Sequence, residues 1–390
     1  MRKSLWTLLS LFVVVSMLLT ACGGDDATPT EAPTEEMTEE AMPEETEEME
    51  ETEEATPEET EEMEDDVLQV GMVTDIGGVD DRSFNQTSWR GVERAMEELN
   101  VEGTVLESQQ QTDYETNMNQ LLRQETDLIV TVGFLLADAT EQLAQQNPET
   151  MFAIVDYDFG GQYSNVRGLS FATDEAGFLA GYLAAAASET GTVATYGGIK
   201  IPTVTIFMVG FQSGVEYYNE QNDANVQLLG WSTEEADGVF VGNFESTSDG
   251  RRVAEEFLAE GADVIMPVAG PVGLGSAQAI QEQGDAWIVG VDTDWTFSAP
   301  EYADIVLTSV VKRMDNAVYD TTDLMLQPDF ENFEGNAPYI GTLDNDGVGI
   351  APVAEGVVAE ELMGEVENLR QAIIDGEIDT GWDAYLESSQ

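Results

Sequence analysis

The chain has 390 residues, 78 acidic and 13 basic, with one cysteine and no histidine. From residue 67 onward 56 acidic residues still face 11 basic ones, and the resulting charge of −45 argues against nucleic acid as a partner, because phosphates are repelled. Without histidine there is no Ser-His-Asp or Cys-His nucleophile and no His-ligated zinc, and a lone cysteine forms no internal disulfide.

Residues 1–21 read as a secretory signal: Arg2 and Lys3, then an apolar run from Leu5 to Leu19, too short for a membrane span. The run ends in Leu-Thr-Ala-Cys, which matches the lipobox of bacterial lipoproteins, so Cys22 is expected to carry lipid and to become the new N-terminus. Residues 23–66 hold 22 acidic and no basic residues. Such a segment repels itself, cannot offset its ordering entropy, and reads as a disordered tether.

From residue 67 onward, apolar strand-like runs alternate with helix-length segments. "VLQVGMV", "GTVLES", "DLIVTVG" and "MFAIVD" are separated by helices predicted near 85–99, 115–124 and 137–147. A second series, "GTVATYGG", "NVQLLGW", "ADVIMPVAG" and "WIVGVD", is separated by helices predicted near 203–220, 249–260 and 272–283. Continuous Val/Ile/Leu runs between amphipathic helices imply parallel sheets covered on both faces. Two such series imply two α/β lobes rather than one oversized sheet.

The unusual residues follow the strands. In parallel α/β sheets the C-terminal strand ends share one edge, where ligands bind. After the first strand, "VDDRSFNQTSWRG" places Phe84 among small polar residues. Ser83 and Gln86 have capping-box spacing, so a helix is predicted from Phe84. That helix has an apolar stripe of Trp89, Val92, Met96 and Leu99, and Phe84 falls roughly 100° from its centre, free to meet a ligand.

Several segments together ("VGMVTDIGGVDDRSFNQTSWRGVERA", "VDYD", "GLSFATDEAGFLAGYLAA", "GGIKIPTVTIFMVGFQSGV" and "VGVDTDW…VLTSVVKRMDNAV") resemble the basic-membrane-protein, or purine nucleoside receptor-like, family of ABC transporter substrate-binding lipoproteins. The similarity runs from about 67 to beyond 350, and "D-[KR]-S-F-N" and "TSVVKR" are its most telling parts. It implies the type I periplasmic-binding-protein fold, an α/β architecture of two Rossmann-like lobes with parallel sheets, three crossovers and a ligand cleft between them. The lobes are expected at about 67–171 with 293–335, and at about 172–292 with 336–390.

In that family two aromatic rings sandwich a nucleobase, polar groups read its edge, and an Asp and a Lys hold the ribose. Carried over, Phe84 is the first ring and Phe244 the second, with Phe211 as a weaker candidate. Asn85 and Asp156 match the base-reading positions, and Asp292 and Lys312 match the ribose pair, with Asp294 as an alternative to Asp292. Trp295 stands where relatives commonly carry a polar residue, a departure at the ribose end. The implied partners are a nucleoside, the permease and ATPase subunits, and the membrane through the lipid anchor. The expected form is a monomer with no cofactor and no metal. Two other classes stay open on the residues alone: a type I receptor or sensor for a sugar, amino acid or other metabolite, and, more distantly, a carboxylate-based hydrolase.

Overall fold

The computed structural model describes residues 67–335 and 337–389. The signal, Cys22 and the acidic tether lie outside the described residues. The first lobe is built from β1 (Leu68–Ile76), α1 (Phe84–Glu98), β2 (Val101–Ser108), α2 (Asp113–Arg123), β3 (Leu128–Val132), α3 (Ala137–Gln146), β4 (Met151–Val155) and β5 (Val166–Phe171). β3 and β4 are buried at every residue, which is why their sequences are unbroken apolar runs rather than alternating ones.

The second lobe follows with α4 (Thr173–Ala187), β6 (Thr192–Gly197), α5 (Pro202–Asn222), β7 (Gln227–Leu229) and a short ribbon of β8 (Trp231–Ser232) and β9 (Asp237–Gly238). It continues with α6 (Thr247–Ala259), β10 (Val264–Val268), α7 (Val272–Gln283), β11 (Trp287–Asp292), the one-turn α8 (Trp295–Ser298) and β12 (Val306–Lys312). The chain returns to the first lobe for α9 (Met314–Met325) and β13 (Tyr339–Gly341), and ends in the second with β14 (Val348–Ile350), α10 (Glu360–Ile374) and α11 (Trp382–Ser389). The sheets run β13-β5-β4-β3-β1-β2 and β14-β12-β11-β10-β6-β7, parallel except for β14.

The crossings correct two expected lobe boundaries. The chain changes lobe between β5 and α4, between β12 and α9, and between β13 and β14. Residues 293–312 therefore belong to lobe 2 rather than lobe 1, because the apolar β12 docks in parallel beside β11, from Val289 opposite Thr308 to Asp292 opposite Val311. Residues 337–341 belong to lobe 1 rather than lobe 2, because β13 completes the first sheet beside β5. Lys312 thus ends a lobe 2 strand.

Lobe 2 hangs on a close helix pair. All but two of the 15 residues of α4 are buried, so this helix is apolar on every side. Gly177 and Gly181 on α4 face α5, while Gly210 and Gly214 on α5 face α4. A β-carbon added at Gly181 would lie 2.0 Å from the Phe211 carbonyl oxygen, and one at Gly214 would lie 2.0 Å from that of Phe178. Backbone cannot yield as a flexible side chain would, so Gly181→Ala should destabilise the protein by about 1–3 kcal/mol through overpacking. Gly364→Ala, on exposed α10 with open space around it, should be neutral or stabilise by up to about 1 kcal/mol through helix propensity. Urea midpoints of the two variants check the contrast.

Candidate functional site

The C-terminal strand ends of the two sheets face each other across a cleft of about 670 Å³, including its open mouth. Phe84, Asn85, Asp156, Phe244, Asp292 and Lys312 all line it. The structure thus brings these six together; the two alternates, Phe211 and Asp294, do not line the cleft.

The loop before α1 sets Phe84. The expected capping box does not form, for Ser83 gives α1 no side-chain cap. Asp81 takes that place: its carboxylate accepts from the backbone N–H of Ser83 (2.9 Å), Asn85 (2.8 Å) and Gln86 (3.0 Å). Burial pushes the Asp81 carboxyl up to about 6 against the pull of those three donors. Ser83 is thereby released to donate its hydroxyl across the cleft to Asp292, at 2.7 Å.

The helical phase of Phe84 also differs from expectation. The buried face of α1 is formed by small residues, Ser88, Gly91 and Ala95, with Val92, rather than by the Trp89–Met96 stripe. A β-carbon on Gly91 would sit 2.5 Å from the Asp315 carbonyl oxygen, so α1 rests closely on α9. Phe84 lies on this same face, one turn before Ser88, where the ring lines the cleft. Four residues after it, the packed face begins.

Asp156 and Asp292 occupy matching places, at the ends of β4 and β11. Both adopt left-handed backbone, φ 68° and 69°, a conformation rare for residues other than glycine and concentrated at functional sites. The Asp156 carboxylate meets the Lys312 ammonium at 2.5 Å, with side chains 8% and 3% exposed. Burial raises the Asp156 pKa, and the ammonium opposes that rise. Nζ of Lys312 also lies 4.9 Å from the Phe84 ring centroid and 5.2 Å from that of Phe171. The pair joins lobe 1 to lobe 2, as does Ser83 to Asp292. At the surface, Arg82 adds a third bridge to Glu301, at 2.5 Å.

Asn85 is 2% exposed, and both its amide hydrogens are engaged, by Asp75 at 2.7 Å and Asp81 at 3.1 Å. It holds the cleft wall and aims Asp75. Asp75, at the end of β1, was not singled out in the sequence; its only signal was its place after a buried strand. Its carboxyl lines the cleft and is half-buried, and the protein packed around it desolvates the charge and pushes its pKa up to about 8, despite the Asn85 hydrogen bond. Asp75 can therefore hold a proton at neutral pH and donate it in a hydrogen bond.

In lobe 2, Phe244 rests on Gly198, where an added β-carbon would fall 2.3 Å from the ring. Phe211 is fully buried beside α4 and is no part of the cleft. Phe207, one turn earlier on α5, lines the cleft and was missed because it sits inside an apolar helical run. Trp295 is 1% exposed, with its indole N–H donated to the Val291 carbonyl at 3.1 Å. It is part of the lobe 2 core and does not line the cleft. Asp294 accepts from the Thr296 backbone N–H at 2.9 Å and caps α8, so Asp292 is the carboxylate that reaches the cleft. Among the described residues no cluster of His, Cys, Asp and Glu is placed to hold a metal ion.

The sequence matches the family described as "Bmp: ABC transporter substrate-binding protein PnrA-like" over residues 68–382. It is 32% identical to the "CD4+ T-cell-stimulating antigen" of Listeria monocytogenes, covering 79% of this chain and 87% of that one. It is 30% identical to the "ABC transporter nucleoside-binding protein BmpA" of Lactococcus lactis, covering 80% and 88%. Among solved structures it is similar to an ABC transporter solute-binding protein from Aeropyrum pernix, with a TM-score of 0.71, 27% identity, and coverage of 82% and 96%. An arabinose-binding protein from Geobacillus stearothermophilus shares the fold, at a TM-score of 0.55 and 16% identity.

The proton on Asp75 makes stability depend on pH. Its carboxyl rises from an ordinary 3.8 to about 8 on folding. Between those values the native chain holds a proton that the unfolded chain has lost, so wild-type stability falls as pH rises through this window. Asp75→Asn removes the effect. The melting temperature of Asp75→Asn minus that of wild type should therefore grow steadily from pH 4 to pH 8. A difference independent of pH would place the Asp75 carboxyl in an ordinary environment.

Proposed function

The chain belongs to the Bmp family of PnrA-like ABC transporter substrate-binding proteins, and from that premise we propose that it captures nucleosides, purines above all, between its two lobes. In this reading it is held outside the cell by lipid on Cys22 and delivers its ligand to the permease and ATPase of an importer. It is a binding protein and not an enzyme, as its relatives are.

The observation that carries the ligand class is a cleft with aromatic rings from both lobes, Phe84 and Phe134 on the first and Phe207 and Phe244 on the second, beside a buried polar array. Stacking on a flat ring contributes about 1–3 kcal/mol per base and tolerates base identity. Asp75, aimed by Asn85, reads the base edge, as donor when protonated and as acceptor when ionised. Asp292 accepts from ribose hydroxyls, and Lys312 donates to them from its place beside Asp156. A free sugar leaves the rings uncovered, while a free base lacks the hydroxyls that Asp292 and Lys312 would meet. The cleft holds Asp75, Asp81, Asp156 and Asp292 against Lys312 alone, so it favours uncharged nucleosides over nucleotides.

Delivery from a tether fits the rest of the chain. No helix among the described residues is long and apolar enough to cross a membrane. A tether with 22 acidic residues is repelled by anionic head groups, so attachment rests on Cys22. Cys22→Ala should move the protein from the membrane to the soluble fraction.

Calorimetry with inosine and hypoxanthine tests the ligand assignment. Phe84→Ala should weaken both by similar factors, about 5- to 150-fold, since the ring stacks on the base that both ligands share. Asp292→Ala should weaken inosine by about 1.5–3 kcal/mol, the value of a hydrogen bond to a charged group, and leave hypoxanthine nearly unchanged. Wild-type affinity for inosine in Phe84→Ala would make the ring a plug for the lobe edge and refute this pose.

A further inference from the structure

Behind the Asp156–Lys312 pair lies a second chamber of about 480 Å³, including its open mouth. Asp156, Lys312 and Thr203 line both spaces, so the ion pair and Thr203 stand between cleft and chamber. The chamber sits at the hinge, where β5 passes into α4 and β12 into α9. Ser170 comes from the end of β5, Thr173 from the first turn of α4, Thr203 and Ile206 from the first two turns of α5, and Trp382 from the start of α11.

One group in this wall is unmet. Thr173 is 1% exposed, and its buried hydroxyl has no hydrogen-bond partner among the described residues. A buried polar atom left unpaired costs stability unless water or a ligand completes it. The remaining surface is mixed. Hydroxyls of Ser170 and Thr203 alternate with the apolar faces of Phe171, Ile206 and Trp382. The one cation in reach, Lys312, is already paired with Asp156 at 2.5 Å, so an anion gains little here. An uncharged group with an acceptor at one end and a short apolar body fits both the hydroxyl and the walls.

We propose that the chamber is a subsite for an uncharged substituent on the ribose, so that the protein accepts nucleosides extended at the 5′ position. This rests on the nucleoside reading above, in which the ribose lies against Lys312 and hence against the partition. The 5′ arm passes Lys312, its acceptor takes the Thr173 hydroxyl, and its apolar end lies on Trp382 and Ile206. A phosphate in the same place meets Asp156 with no free cation.

The test compares adenosine, 5′-N-ethylcarboxamidoadenosine and adenosine 5′-monophosphate by calorimetry on the full chain. Wild type should bind the carboxamide within about threefold of adenosine and the monophosphate at least 100-fold more weakly. Thr173→Val removes the hydroxyl while keeping the shape, and Ser170→Leu fills the chamber. Each should weaken the carboxamide about tenfold and leave adenosine within twofold, which also reports that the variant is folded. Rejection of the carboxamide by wild type that binds adenosine overturns the subsite and leaves the nucleoside reading standing. So does a carboxamide whose affinity neither variant changes, since its arm then lies elsewhere. Failure of all three ligands to bind overturns both.

Discussion

Two charges held at 2.5 Å between lobes organise this molecule. Lys312 and Asp156 form the one salt bridge among those of the described residues in which both side chains are less than a tenth exposed. Neither charge is tolerated there alone, and removing one partner of such a pair typically costs about 3–5 kcal/mol. Because Asp156 ends a lobe 1 strand and Lys312 a lobe 2 strand, the requirement that they meet is a requirement that the lobes stay near each other. Ser83 and Asp292 repeat the arrangement with a neutral donor. The ligand cleft is the space these bridges enclose, and its aromatic walls are placed by the same loops that carry the bridging groups.

The acidity of the chain sharpens that role. In a domain with a charge of −45, a cation beside a carboxylate does not create a positive site; it makes a local island of neutrality. Around it, desolvation outweighs the hydrogen bonds that Asp75 and Asp81 receive, and both are driven upward. A ligand offering hydroxyls and ring nitrogens satisfies such groups without bringing charge. On the proposed function, selectivity for uncharged, hydrogen-bonding ligands follows from the balance of the cleft as much as from any single contact.

Much of this was legible in the sequence. The eight strand runs and six helices mark the two lobes because parallel strands must be continuously apolar, and the strand-end residues mark the cleft because all such ends share an edge. Errors arose where pattern and packing part. The stripe on α1 looked like Trp89–Met96 because helical periodicity counts bulky apolar residues, whereas the buried face uses Ser88, Gly91 and Ala95 for close approach to α9. The capping box looked complete at Ser83 because spacing cannot show that Asp81 supplies the cap. β12 was assigned to the wrong lobe because a strand's sequence carries its burial but not its partner. Asp75 drew no notice in so acidic a chain, since only the desolvation of its carboxyl distinguishes it.

On the proposed reading, a nucleoside bound between the lobes adds spanning contacts to the Lys312–Asp156 and Ser83–Asp292 bridges, and so favours the arrangement in which those bridges are made by its differential affinity for it. The most direct measurement is the distance distribution between spin labels on exposed helices of the two lobes, at Glu97→Cys on α1 and Ala259→Cys on α6, in a chain with Cys22→Ser. With inosine at saturation, confirmed by calorimetry, the longer distances should vanish and a single shorter population remain. Identical distributions with and without bound inosine would show that binding does not draw the lobes together.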